Sequence, residues 1–287
     1  MQLIPTRVGR VAVNIVGDGP PLVLLHSVAH DHHDFDAIVP TLSTQFRTIA
    51  VDWPGHGESD MFDPPSSAGA LRMCDALEDV VDALHLPPAV FLGNSVGGTA
   101  SLRLAVRKPE RVRALVLVDT GGLAGKSALL KMACWVQGRE LVRRWTGLSF
   151  ARSYLKKPSE RVDALLGRIE AARARSGFIE MDAAMWRSFG SPEVDMSDAA
   201  RVIACPTLIV WGKHDPVIRA KVEGRRAREI LAHAKYVELD TGHVPFVEDP
   251  AAFLDAVFPF LRAIPALAKG EGAFEQSARA QSRFRKS

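Results

Sequence analysis

Cysteine is scarce in this chain: three residues in 287, at positions 74, 134 and 205. An odd number at such wide spacing fits neither a disulfide framework nor a metal cluster, and predicts a protein of the reducing cytoplasm. Long apolar runs are missing too. Stretches such as Ala114 to Val118 and Leu208 to Trp211 fall far short of the roughly 18 to 20 residues that span a bilayer, so no membrane span is predicted. Arg7 and Arg10 interrupt the opening, and no standard secretory leader is expected there. Nor is there a strong excess of one charge. With 36 Lys+Arg against 33 Asp+Glu, net +3, nothing in the balance favours a nucleic-acid partner. What is present, 47% apolar and 24% charged residues, is the composition of a chain with a core to bury, which excludes disorder as its main state.

Charge and rhythm divide the sequence. Arg10 to Val16 alternates as an edge-type strand does. From there to residue 120, short apolar runs (Leu22 to Leu25, Thr48 to Val51, Val90 to Leu92, Ala114 to Val118) take turns with amphipathic stretches at Phe35 to Leu42, Ala68 to Leu84 and Thr99 to Val106. Continuous short runs suit strands buried on both faces, so the order predicts a parallel sheet covered by helices. From Gly121 to Arg187 the chain carries 13 Lys+Arg against 6 Asp+Glu and reads as helical throughout. The earlier rhythm resumes at Pro206, with strands expected at Thr207 to Trp211 and Tyr236 to Leu239 and helices at Arg219 to Ala232 and Ala251 to Leu261. The expected division is a core of residues 1–120 and 201–265, a helical insertion at 121–200, and a disordered basic tail at 266–287.

Gly93-Asn94-Ser95-Val96-Gly97-Gly98 sits between a strand-like run and a helical one. G-x-S-x-G in that setting is a nucleophile elbow, where the serine projects from a turn so tight that its neighbours must be glycine. The helix that follows aims free amides at the same point. A hydroxyl needs a base, and the base an orienting acid. His243, in a loop after the last strand-like run, is the candidate base. His26 ends an early strand and is expected to organise backbone. His30, His32 and His33, with Asp31 and Asp34, are read as a solvated loop, and His85 and His233 as surface residues. Two acids end strands: Asp215 and Asp119. The chain order Ser95, Asp215, His243 favours Asp215, with Asp119 the alternative.

Taken together, Leu24-Leu25-His26-Ser27-Val28, Asp52-Trp53-Pro54-Gly55-His56-Gly57-Glu58-Ser59, the elbow at Ser95, Pro206-Thr207-Leu208-Ile209-Val210-Trp211-Gly212 through Asp215, and Gly242-His243 resemble the α/β-hydrolase fold superfamily. Within it, the chain is similar to capped serine esterases and to hydrolases of meta-cleavage products. The resemblance covers residues 10 to 262. It implies an α/β fold with an eight-stranded, mostly parallel sheet and a helical cap inserted after strand 6. It also implies Ser95 as nucleophile, Asp215 as acid, His243 as base, and the backbone amides of Val96 and Val28 as oxyanion hole. Asn94 and Ser27 are expected among the substrate contacts, and Asp52 with Gly55-His56-Gly57 as architecture. One departure is His26-Ser27 where the superfamily usually has His-Gly.

The implied reaction is hydrolysis of a small carboxylic ester or lactone through an acyl-enzyme, with no cofactor or metal. The alternative is carbon–carbon hydrolysis of an anionic keto acid from aromatic ring cleavage. The elbow and the basic cap favour that alternative; Val244, where those enzymes commonly carry Trp, opposes it. A third is a non-catalytic ligand receptor on the same fold. Arg168, Arg173, Arg175 and Arg187 are the cap cations to follow into the pocket.

Overall fold

The computed structural model describes residues 1–125 and 128–264, so the tail expected at 266–287 lies outside the described residues. Eight strands form one sheet in the order β1-β2-β4-β3-β5-β6-β7-β8. They are β1 (Gln2–Thr6), β2 (Gly9–Val16), β3 (Pro21–Leu25), β4 (Arg47–Val51), β5 (Ala89–Asn94), β6 (Val112–Val118), β7 (Thr207–Gly212) and β8 (Lys235–Leu239). The pairs β1/β2 and β2/β4 are antiparallel and all others parallel. Each apolar run splits by alternation between two cores. Leu22, Leu24, Val90, Leu92, Val116 and Val210 pack on one face, while Val23, Leu25, Phe91, Leu115, Leu117 and Ile209 pack on the other. Period two inside an unbroken hydrophobic run is what a sheet covered on both sides requires.

The helices are α1 (Val39–Leu42), α2 (Ala70–Ala83), α3 (Val96–Arg107), α4 (Ala128–Gln137), α5 (Glu140–Tyr154), α6 (Glu160–Arg173), α7 (Phe178–Phe189), α8 (Arg225–Ile230), α9 (Pro245–Glu248) and α10 (Pro250–Arg262). Four of them, α4 to α7, fall between β6 and β7. Two expectations need correction. The helix expected at Phe35 to Leu42 is a 3-10 turn, His32–Phe35, followed by the single turn of α1. Arg219 to Ala232 begins with a π-helical turn before the short α8. Strand β1, at the antiparallel edge, carries no apolar run and leaves no strand signal in the sequence.

Candidate active site

Every candidate residue hangs from the carboxyl end of a parallel strand, the edge where open α/β sheets place their ligands. Ser95 joins β5 to α3 with φ 55° and ψ −112°, a sparsely populated conformation for a side-chain-bearing residue. It is held on both sides: its N–H donates to Val118 O at 3.1 Å, and its carbonyl accepts from Thr99 and Gly121 N–H at 3.1 and 3.0 Å. A Cβ at Gly93 would run into the Gly97 backbone, and one at Gly97 into the Leu25 carbonyl. The elbow's glycines thus answer to close packing.

His243 follows β8. Its Nδ1 donates to Asp215 Oδ2 at 2.7 Å with both groups buried, leaving Nε2 as the nitrogen available to a hydroxyl. Asp215 Oδ1 is occupied by the N–H groups of Val217 and Ile218 at 2.7 and 3.2 Å. Ser95 and His243 line the same cavity, of about 170 Å³. Among the described residues the Ser95 hydroxyl has no hydrogen-bond partner; such contacts often tighten only when substrate is bound.

Asp119 stands beside this pair. An oxygen of Asp119, one of Asp215 and a His243 ring nitrogen lie within 4.8 Å of one another. Asp119 Oδ1 accepts from Gly212 N at 2.8 Å, whereas its buried Oδ2 has no partner. Burial, with Asp215 alongside, pushes the Asp119 carboxyl well above the usual carboxylate range. It is Asp215, then, that meets the imidazole; Asp119 meets the carboxylate behind it.

Val28, Val96 and Ser27 line the cavity. The Val28 and Val96 amides donate to no described residue, as expected for Val96 in the first turn of a helix. Ser27 is unstrained: the left-handed residue in this loop is Ala29, at φ 66°. The Ala29 N–H donates to His56 Nε2 at 3.0 Å, while His56 Nδ1 donates to Pro54 O. Burial holds the His56 pKa down to about 3, so the ring is a neutral acceptor steadying the loop next to Val28. His26 organises backbone as expected, donating from Nδ1 to Ser27 O and accepting at Nε2 from Trp53 N–H. Asp52 accepts from His32 and Glu58 N–H.

Two expectations change. Asn94 is wholly buried and absent from the cavity lining; its amide donates to the carbonyls of Val118 and His243 at 3.1 and 3.0 Å. It ties the elbow to the histidine loop, away from the cavity lining. The 30–34 segment is no solvated loop, because His30, His32 and Asp34 are buried. His30 Nδ1 bonds Asp34, and its Nε2 bonds Tyr154 Oη at 2.8 Å. Arg168, from α6, pairs with Asp31 and Asp34 at 2.9 and 2.7 Å. Of the four arginines followed from the helical insertion, Arg175 and Arg187 bond the Gly57 and Gly138 carbonyls, and only Arg173 reaches the lining. Arg143, which no sequence pattern marks, joins it there.

Glu248 is a further residue without a sequence signal. Buried at the end of α9, its Oε2 accepts from the N–H groups of Lys156, Lys157 and Gly242, and its Oε1 from Val244. It grips both neighbours of His243 and the chain leaving α5. Glu248→Gln puts an NH₂ where a charged acceptor is needed, and is expected to destabilise the fold by about 2–3 kcal/mol. A thermal melt checks this; an unchanged Tm would mean that the carboxylate holds nothing.

Comparison with known proteins adds to this geometry. Residues 22–256 match the family model described as the alpha/beta hydrolase family. The chain belongs to this family. It is 31% identical over 257 residues to the 2-hydroxymuconate semialdehyde hydrolase of Pseudomonas sp. (strain CF600), a match covering 85% of this chain and 88% of that protein. The enol-lactonase from Burkholderia xenovorans LB400 superposes with a TM-score of 0.79 at 25% identity, covering 91% of this chain and all of that one. A thermophilic esterase from Thermogutta terrifontis superposes with a TM-score of 0.80 at 24% identity, covering 92% and 99%, a likeness of fold. The protein is a hydrolase. Among its described residues, no helix is long and apolar enough to cross a membrane.

Proposed function

We propose that this hydrolase cleaves a small carboxylic ester or lactone through an acyl-enzyme on Ser95. The observation that carries the reading is the buried 2.7 Å Asp215–His243 bond beside a cavity that Ser95 also lines. In this reading His243 Nε2 takes the Ser95 proton as Oγ attacks the substrate carbonyl. The negative charge that develops on the carbonyl oxygen is met by the N–H groups of Val28 and Val96. A donor in that role contributes typically about 2.7–4 kcal/mol to lowering the barrier. His243 then gives its proton to the leaving oxygen, and water, activated by the same imidazole, releases the acid. Helices α4 to α7, between β6 and β7, serve as the cap, and the small cavity suits a small substrate.

Hydrolysis of an anionic keto acid is the second reading. It is favoured by the likeness to the 2-hydroxymuconate semialdehyde hydrolase. A fluorophosphonate probe followed by peptide mapping tests the common part: label is expected on Ser95, and label elsewhere would remove the acyl-enzyme. Turnover of 4-nitrophenyl acetate against a ring-cleavage dienoate ranks the two. Faster dienoate hydrolysis would put carbon–carbon cleavage first.

A further inference from the structure

The cavity has a polar wall that the acyl-transfer chemistry leaves unused. It is built by three consecutive helices, far in sequence from Ser95. On α5, Arg143, Gly147, Phe150, Ala151 and Tyr154 all line the cavity, at the three- and four-residue spacing that puts side chains on one helix face. Arg173 enters from the end of α6, and Asp182 and Trp186 from one face of α7.

Two guanidinium groups share this wall with a single buried carboxylate, and Arg143 alone bonds it, its Nη1 donating to Gln137 Oε1 at 2.9 Å. Arg143 is 3% exposed and Asp182 fully buried, and Arg143 Nε donates to Asp182 Oδ2 at 2.8 Å. The Arg143 guanidinium also sits over the Phe150 and Trp186 rings, at 5.4 and 5.3 Å from their centroids, which fixes it against the apolar side of the cavity. Among the described residues Arg173 is paired with no carboxylate of its own. Its Nη2 donates to the carbonyls of Arg143 and Arg144 at 2.9 Å. A Cβ on Gly147 would overlap the Arg173 guanidinium. Glycine is a poor residue for a helix interior, and at this place in α5 it is what admits the second cation.

The wall holds two unmet polar atoms, one acceptor and one donor. Asp182 Oδ1 is buried without a partner, and so is Trp186 Nε1, although a buried indole N–H usually has one. The other acids of the lining do not supply the missing charge. Asp195 and Glu223 are half-exposed and engaged, Asp195 by Ser197 N–H and Glu223 by Arg219. Two cations, one anion and an unmet donor in a low-dielectric wall leave an excess of positive charge that a ligand anion can balance.

We infer that Arg143, Arg173 and Trp186 form a subsite for a carboxylate, so that the substrate is an ester or lactone whose far end carries that group. As a statement about substrate this rests on the acyl-enzyme reading; as a statement about binding it does not. In this arrangement the carboxylate accepts from the guanidinium groups and the indole N–H, and the scissile carbonyl is delivered to the other side of the same cavity.

Two measurements test it. The first compares kcat/KM for 4-nitrophenyl hemiesters of succinate, glutarate and adipate with that for 4-nitrophenyl butanoate, pentanoate and hexanoate. At least one hemiester is expected to exceed its neutral counterpart tenfold or more. That ratio is expected to fall at least tenfold in Arg173→Gln and in Arg143→Gln. Equal turnover across both series, or a ratio that survives Arg173→Gln, overturns the proposal. The second measurement is calorimetric titration of glutarate into Ser95→Ala, where binding is expected and its weakening by an added Arg173→Gln or Trp186→Phe follows. Should neither series be hydrolysed, the acyl-enzyme reading fails, while glutarate binding still decides the subsite. Because Trp186→Phe and Arg173→Gln leave the buried Arg143–Asp182 pair intact, a folding failure of Arg143→Gln does not remove the test.

Discussion

Ser95→Ala is expected to lower kcat for a 4-nitrophenyl ester by about 10⁶, the scale of loss when a serine nucleophile is removed from an intact site. The fold should survive, because what holds the elbow is backbone. The Ser95 N–H and carbonyl bonds to Val118, Thr99 and Gly121 do not involve Oγ, and the hydroxyl has no described partner to lose. Alanine can occupy the same strained φ of 55°, so Tm should change little. Stopped assays at high enzyme concentration, with a thermal melt alongside, check both points. A residual rate within 10³ of wild type would mean that another group, or a directly activated water, carries the reaction.

Asp215→Asn should cost about 10⁴ in kcat, since an amide beside Nδ1 selects the wrong imidazole tautomer and cannot stabilise the imidazolium. Asp119→Asn should cost far less. Its Oδ1 contact with Gly212 N survives in an amide, and an NH₂ group can face Asp215 as a protonated acid would. The two variants also separate in stability against pH. A carboxyl whose pKa is higher in the folded state than in the unfolded one supports the fold below its unfolded pKa, and loses that support as pH rises through the folded value. Asp119 has such a raised pKa, from burial and then from Asp215. Asp119→Asn should therefore gain in Tm relative to wild type on going from pH 4 to pH 9. A larger kcat loss at Asp119 than at Asp215, or a Tm difference independent of pH, would reverse the roles assigned to the two acids.

The sheet is legible in the sequence because parallel strands buried on both faces leave continuous apolar runs, as β3, β5, β6 and β7 do. β1 escapes because an edge strand with exposed Leu3 needs no such run. The elbow is legible because close packing at Gly93 and Gly97 forces a local pattern of residue types. Contacts closed by distant partners leave no such trace. His30 and Asp34 look like solvated polar residues until Arg168, 134 positions from Asp34, and Tyr154 are brought against them. Asn94 looks like a substrate contact because it adjoins Ser95, yet its amide is spent on His243 O, 149 positions on. Glu248 and Arg143 carry no motif at all; the contacts of Glu248 exist only once the end of α5 and the His243 loop meet, and those of Arg143 only once α5 meets α7. The Ser27 departure strains no backbone, since the positive φ of that loop falls two residues later, on Ala29.

The end of α5 bears on how a substrate can get in. The His243 N–H donates to the Tyr154 carbonyl at 3.0 Å, and Glu248 clasps Lys156 and Lys157 with the same carboxylate that clasps Gly242 and Val244. Swinging the four-helix segment away as one body would tear at amides on either side of the imidazole. Entry by parting α4 from its neighbours, around the solvent-facing Leu129, Met132 and Trp135, disturbs none of those bonds. A parting at that end would thus be mechanically insulated from the imidazole, since the other end of the segment is clamped to the His243 loop.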